Sequence, residues 1–125
     1  MMETGIRGKK TITVTKAMTA KAMGSGELEV YATPSMIALM ENTAYQSVAG
    51  YLEEGQGTVG TLMNVKHLAA SCVGAEVTCE TELTEVDRRR LVFNVKVSDG
   101  RGLIGEGRHE RFIVDNRKFM EKAGK

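Results

Sequence analysis

The sequence predicts an α+β protein in which a strongly curved antiparallel sheet wraps around one long helix. One observation is a single long segment of helical period, residues 33–52, in a chain whose other regular segments alternate with a period of two. Another is that the later strand-like segments are joined by short turn signals, Asp87-Arg88 and Asp99-Gly100, which are typical of hairpins. An antiparallel sheet with one apolar face must cover that face, and one helix is enough to do so.

The predicted helix opens with Thr33 as N-cap and Pro34, the only proline, at the first helical position. Glu41 falls inside the apolar stripe, where a carboxylate is costly unless it has a partner. We expect the helix to end at Glu53-Glu54, with Gly55 as a left-handed C-cap. The apolar stripe at helical spacing consists of Ile37, Met40, Ala44, Val48, Tyr51 and Leu52.

The strands are predicted from alternation of apolar and polar residues. Two lie before the helix, at residues 10–15 and 27–32, and the intervening stretch is expected to be a loop around Gly24-Ser25-Gly26. Four follow the helix, at residues 58–68, 75–86, 91–97 and 102–114. In the last strand, Gly105 and Gly107 fall on the inward face, where we expect them to let the helix approach closely.

The composition indicates a single globular domain, residues 1–125. The net charge of +1 gives no general attraction to nucleic acid or to a membrane surface. The one basic run, Arg88-Arg89-Arg90, is interpreted as a solvated turn. Because no signal peptide or long apolar run is evident, we expect a cytoplasmic protein in which Cys72 and Cys79 remain thiols.

Three residues are candidates for chemistry. Thr33 begins the helix, where free N–H groups favour an oxyanion, while Glu41 lies on the apolar stripe and His67 on the apolar face of a strand. Thr33 and Glu41 lie roughly 12 Å apart along the helix axis, too far for a direct bond. Either an imidazole bridges them or one of the three residues comes from another subunit.

Each of these residues also has a purely structural interpretation. Thr33 can be only an N-cap, Glu41 can be neutralised by Arg111, and His67 can be a half-buried strand histidine. The three residues and their spacing alone therefore do not name a reaction.

Several short motifs occur in one order around and after the helix. They are Ala32-Thr33, Leu39-Met40-Glu41, Tyr51-Leu52-Glu53, Gly57-Thr58-Val59-Gly60-Thr61, Val65-Lys66-His67-Leu68-Ala69-Ala70 and Gly107-Arg108-His109-Glu110-Arg111. Over about two-thirds of the chain they resemble the hotdog-fold thioesterases related to fluoroacetyl-CoA thioesterase.

The resemblance implies a hotdog fold and a dimeric enzyme that hydrolyses acyl-CoA, with CoA as part of the substrate and with no metal or other cofactor. It assigns the catalytic set to Thr33, Glu41 and His67. It also places Gly60 beside the thioester and Arg111 near the CoA side. Exposed sheet edges independently favour a homodimer, because two chains can join their edges into one sheet.

The resemblance is weakest before the helix. The fluoroacetyl-specific enzyme has a longer lid there that carries phenylalanine, whereas residues 17–30 form a short segment without an aromatic residue. We therefore expect hydrolysis of small or medium acyl-CoA without selectivity for a fluorinated acyl group. A hotdog hydratase or dehydratase acting on enoyl thioesters, and a non-catalytic module that binds acyl-CoA, remain as alternatives.

Overall fold

A computed structural model describes residues 2–124 and confirms the predicted α+β architecture. Five antiparallel strands form one sheet in the order β1-β3-β4-β5-β2. A 3-10 turn at Lys16–Met18 and a short helix α1 precede the long helix α2. The elements are β1 Arg7–Thr13, α1 Ala20–Met23, α2 Thr33–Ala49, β2 Gln56–His67, β3 Glu76–Asp87, β4 Arg90–Asp99, β5 Gly102–Asp115 and α3 Asn116–Lys122.

The core lies between α2 and the concave face of the sheet. Met40, Ala44 and Val48 of the predicted apolar stripe are fully buried, and so is Met36, whereas Ile37 is half-buried. The four buried residues pack against inward residues of the central strands, which include Val77, Cys79, Leu83, Phe93, Val95 and Val97.

The predicted C-terminal end of the helix is wrong. Helix α2 ends at Ala49, and Gly50 follows as C-cap in a right-handed conformation. Glycine is a poor helix former, and turn-type bonds from Tyr51 to Val48 and from Leu52 to Ala49 finish the last turn. Tyr51 is therefore 58% exposed and outside the core.

The predicted N-cap is also wrong by one residue. Ala32 is the N-cap residue and makes no side-chain capping bond, while Thr33 is the first residue of α2. The Thr33 hydroxyl is bound instead to His67.

Residues 27–32 do not form the predicted strand. They contribute only single bridges, between Tyr31 and Thr19 and between Val30 and Cys72. Two hydrogen bonds form the bridge to Thr19: Ala20 N–H donates to the Val30 carbonyl, and Ala32 N–H donates to the Met18 carbonyl. The stretch expected to be a loop is thus partly helical and is fastened alongside residues 30–32.

The two inward glycines of β5 differ in what they approach. A Cβ at Gly105 would lie 2.5 Å from the Met36 sulfur, so close approach of α2 is confirmed there. A Cβ at Gly107 would instead meet Val65 and the Asn64 carbonyl of β2, so the prediction is wrong for this residue.

The outer face of β5 carries the alternating charged residues Glu106, Arg108 and Glu110. Glu110 is only 7% exposed, because Arg90 and Arg108 bind its carboxylate. Within residues 2–124, no helix is long and apolar enough to cross a membrane.

Candidate active site

Thr33 and His67 meet where α2 begins and β2 ends. The Thr33 hydroxyl is hydrogen-bonded to Nδ1 of His67 at 2.8 Å, although the two residues are 34 positions apart. Both line a cleft of about 390 Å³, together with Ala20, Ser25 and Val30 from the segment before α2. A hydroxyl, an imidazole and a helix N-terminus therefore open into one cleft.

The surroundings of the His67 imidazole favour its neutral form. Burial lowers the pKa of His67, and the backbone of Ala69 opposes the shift only in part. The ring edge of Tyr31 packs against it, with the ring centroids 6.4 Å apart. Among the described residues, Nε2 of His67 has no hydrogen-bond partner. In the neutral tautomer that carries its proton on Nε2, Nδ1 can accept a proton from the Thr33 hydroxyl and pass it on.

Glu41 lies in a second polar cluster, further along α2. Its Oε2 is 3.6 Å from Nη1 of Arg111, and the main chain of Gly60 lies directly beneath it. A Cβ at Gly60 would be 2.5 Å from this carboxylate oxygen, so only glycine leaves room for the carboxylate here. The structure thus shows Gly60 in close contact with Glu41, and its position beside the thioester stays a prediction.

Arg111 is buried, and protein atoms bind its guanidinium. Nε donates to the Thr58 hydroxyl at 2.8 Å and Nη2 to the Thr58 carbonyl at 2.9 Å. Burial lowers the pKa of Arg111, while the nearby Glu41 and Tyr45 oppose the shift. Arg111 is also a partner of Glu41, and its predicted place near the CoA side stays a prediction.

The structure joins only two of the three candidate catalytic residues within one chain. His67 contacts Thr33, whereas the Glu41 carboxylate lies beside Gly60. Gly60 and His67 are seven residues apart on β2, about 23 Å in extended conformation. The imidazole therefore does not bridge Thr33 and Glu41 within one protomer.

Sequence reasoning missed His109, which is 1% exposed and bonded to Arg111. Its inward position on β5 follows from strand alternation. Its polar partners lie on β2 and on β5 itself, and no local signal identifies them.

Comparison with known proteins agrees with the resemblance in the sequence. The family described as fluoroacetyl-CoA-specific thioesterase, FlK, matches residues 14–117. A fluoroacetyl-CoA thioesterase from Streptantibioticus cattleyicolor is 44% identical over 95 residues, which cover 76% of this chain and 68% of the relative.

Two solved structures of thioesterase FlK extend this similarity over nearly the whole fold. One has a TM-score of 0.93 at 37% identity and covers 98% of this chain and 96% of its own. A variant in complex with fluoroacetate and CoA has a TM-score of 0.90 at 36% identity, covering 94% of this chain and 99% of its own. The predicted hotdog fold is confirmed, and the chain belongs to the family of fluoroacetyl-CoA-specific thioesterases.

Proposed function

We propose that this protein hydrolyses small or medium acyl-CoA thioesters to the free acid and CoA. The observation that carries the proposal is the 2.8 Å bond between the Thr33 hydroxyl and His67 Nδ1 in a cleft at the start of α2. Membership of a thioesterase family supports the same chemistry, as does a relative that binds fluoroacetate and CoA. CoA is part of the substrate, and the proposed reaction needs no further cofactor.

The thioester carbonyl would lie against the first turn of α2. N–H groups in this turn and the helix dipole would stabilise the negative charge that develops on the carbonyl oxygen. Thr33 either attacks the carbonyl or positions it for an attacking water. In both cases His67 accepts the proton of the nucleophile and returns it to the departing CoA thiolate. Where Thr33 is the nucleophile, a water molecule then hydrolyses the acyl-threonine ester, which releases the acid and restores the hydroxyl.

We further propose that Glu41 completes the site of a second subunit. Strand β2 is at one edge of the sheet and pairs only with β5, so one row of its backbone groups is free to bond to another chain. Leu62 on β2 and Leu68, directly after its end, expose apolar surface, at 37% and 50%. Pairing two β2 strands about a two-fold axis would cover this edge.

The same pairing brings the two polar clusters together. A two-fold axis close to Asn64 sets Gly60 and Thr61 of one chain beside His67 of the partner subunit, at the spacing of neighbouring strands, about 4.8 Å. Glu41, which lies over Gly60, then faces the partner's Thr33 and the partner's His67. In this position Glu41 can orient the imidazole and stabilise its charged form, or act as the base itself.

The range of acyl groups that the cleft accepts depends on the segment before α2, residues 17–30. This segment contributes the small or aliphatic side chains of Ala20, Ser25 and Val30 to the wall, and Tyr31, directly after it, adds an aromatic ring that packs against His67. A neighbouring cavity of about 450 Å³ shares Ala69 and Ala70 with the cleft. We propose that the pantetheine arm of CoA lies along these two cavities. We infer small and medium acyl groups with modest preference among them.

The test is to incubate the protein with short acyl-CoAs and a thiol reagent. Release of free CoA that is lost in His67→Ala supports hydrolysis. A change of substrate mass without free thiol would instead identify a hydratase, and binding without either would identify a non-catalytic module. Light scattering at micromolar concentration should give a dimer, and an active monomer would overturn the two-subunit site.

A further inference from the structure

His109 is a buried histidine that the proposed reaction does not use directly. Its ring lies on β5, stacked on Phe93 with centroids 6.1 Å apart. Nδ1 is 2.8 Å from the Leu62 carbonyl, and Nε2 is 3.1 Å from Nη1 of Arg111. A carbonyl can only accept and a guanidinium can only donate, so Nδ1 carries the proton and Nε2 accepts from Arg111. These two partners fix a neutral imidazole in a single tautomer and orientation.

Through this bond His109 fixes the direction of the Arg111 guanidinium. The two contacts to Thr58 hold Nε and Nη2, and His109 holds Nη1. The ring of Tyr45 lies 5.8 Å from the guanidinium carbon. A planar guanidinium anchored through three nitrogens has one orientation, and in it Nη1 faces the Glu41 carboxylate.

Glu41 needs such a fixed partner. Its side chain is 44% exposed and flexible, so an unrestrained carboxylate would sample several rotamers. Gly60 provides the space for the carboxylate, and Arg111 provides the charge that keeps it there. If the Arg111 guanidinium were mobile, it would hold the Glu41 carboxylate in one position much less strongly.

We propose that His109 is a positioning residue for hydrolysis: it aligns Arg111 through Nε2, and Arg111 holds the Glu41 carboxylate over Gly60. This inference rests on the proposed role of Glu41 in the reaction. It assigns His109 no contact with the substrate and no transfer of a proton.

A matched pair of substitutions separates this role from simple core packing. In His109→Asn, the shorter amide can still donate to Leu62 but does not reach Arg111. In His109→Gln, the amide oxygen reaches the position of Nε2 and can accept from Arg111. We expect His109→Asn to lower kcat by on the order of 10–100-fold with KM nearly unchanged, because Glu41 is then misplaced by about 1 Å. His109→Gln should retain much more of the wild-type kcat than His109→Asn does.

A double-mutant cycle with Glu41→Gln completes the test, with circular dichroism and thermal unfolding to verify the fold of each variant. If His109 acts through Glu41, His109→Asn costs little further kcat once Glu41→Gln is present. Equal losses in His109→Asn and His109→Gln, or full additivity with Glu41→Gln, overturn the inference while leaving the proposed reaction intact. Near-full hydrolysis by Glu41→Gln alone overturns the role of Glu41 itself, and the role of His109 with it.

Discussion

Replacing Gly60 with alanine tests the position of Glu41 by adding one methyl group. The new Cβ would lie 2.5 Å from Glu41 Oε2, 3.3 Å from His109 Cε1 and 3.4 Å from Arg111 Nη1. Only the distance to Glu41 Oε2 is far shorter than a van der Waals contact, and this oxygen lies at the end of a flexible side chain. The carboxylate should therefore move by about 1 Å while the sheet stays in place. A displacement of this size costs on the order of 10²-fold in rate when the group takes part in the chemistry.

The assay is kcat and KM for release of CoA from a short acyl-CoA, together with the midpoint of thermal unfolding. We expect kcat to fall by about 10²-fold, with a change of about 1 kcal/mol or less in the free energy of unfolding. Gly50→Ala is the matched control, because Gly50 follows α2 directly and nothing lies within 4 Å of its added Cβ. A folded Gly60→Ala enzyme that keeps most of its kcat would refute the placement of Glu41 in the reaction.

The remaining predictions concern the catalytic set, its pH dependence and its substrates. Glu41→Ala and His67→Ala should each lower kcat by roughly 10²–10⁴-fold without unfolding the protein. Thr33→Ser should lower kcat less than Thr33→Ala, because serine retains the hydroxyl. Near-full hydrolysis by His67→Ala would exclude His67 as the acid–base group. Burial lowers the pKa of His67, and the neutral ring is the active form. The pKa that governs the acid limb of the kcat/KM profile should therefore lie below the ordinary histidine value of 6.5. A pKa above that value would contradict the assignment of His67. The ratio of kcat/KM for fluoroacetyl-CoA over acetyl-CoA should stay below about 10⁴, because pocket contacts with one small substituent contribute only about 1–3 kcal/mol of discrimination. Butyryl-CoA and a branched acyl-CoA should be measured in the same series.

The sheet and the long helix could be predicted because their periods are strong and consistent. Strand β3 and helix α2 bury the residues that their alternation and helical spacing select, such as Val77 and Met40. The errors lie where local signals compete with tertiary bonds. Residues 27–32 alternate like a strand, yet the segment before them binds Val30 and Ala32 on one side. The predicted helix runs through Gly50 to residue 54, although α2 ends at this glycine.

The candidate site could be predicted residue by residue but not as an arrangement. The sequence supplied Thr33, Glu41 and His67, and the rise of a helix gave the separation of the first two. It did not show that α2 runs back along β2, which sets Thr33 beside His67 and Glu41 beside Gly60. The neutral tautomer of His109 likewise depends on Leu62 and Arg111, whose contacts with the ring exist only in the folded chain.

Mixing two inactive variants tests most directly the claim that one hydrolytic site is built from two subunits. His67→Ala and Glu41→Ala are each inactive if both residues are needed, but a heterodimer of the two contains one site with an intact His67 and an intact Glu41. After equal amounts of the variants have exchanged subunits, half of the dimers are mixed, and each mixed dimer has one working site of its two. We therefore expect roughly a quarter of the wild-type rate of CoA release. No recovery of activity, with subunit exchange verified by mass spectrometry of the mixed dimer, would contradict a site shared between subunits.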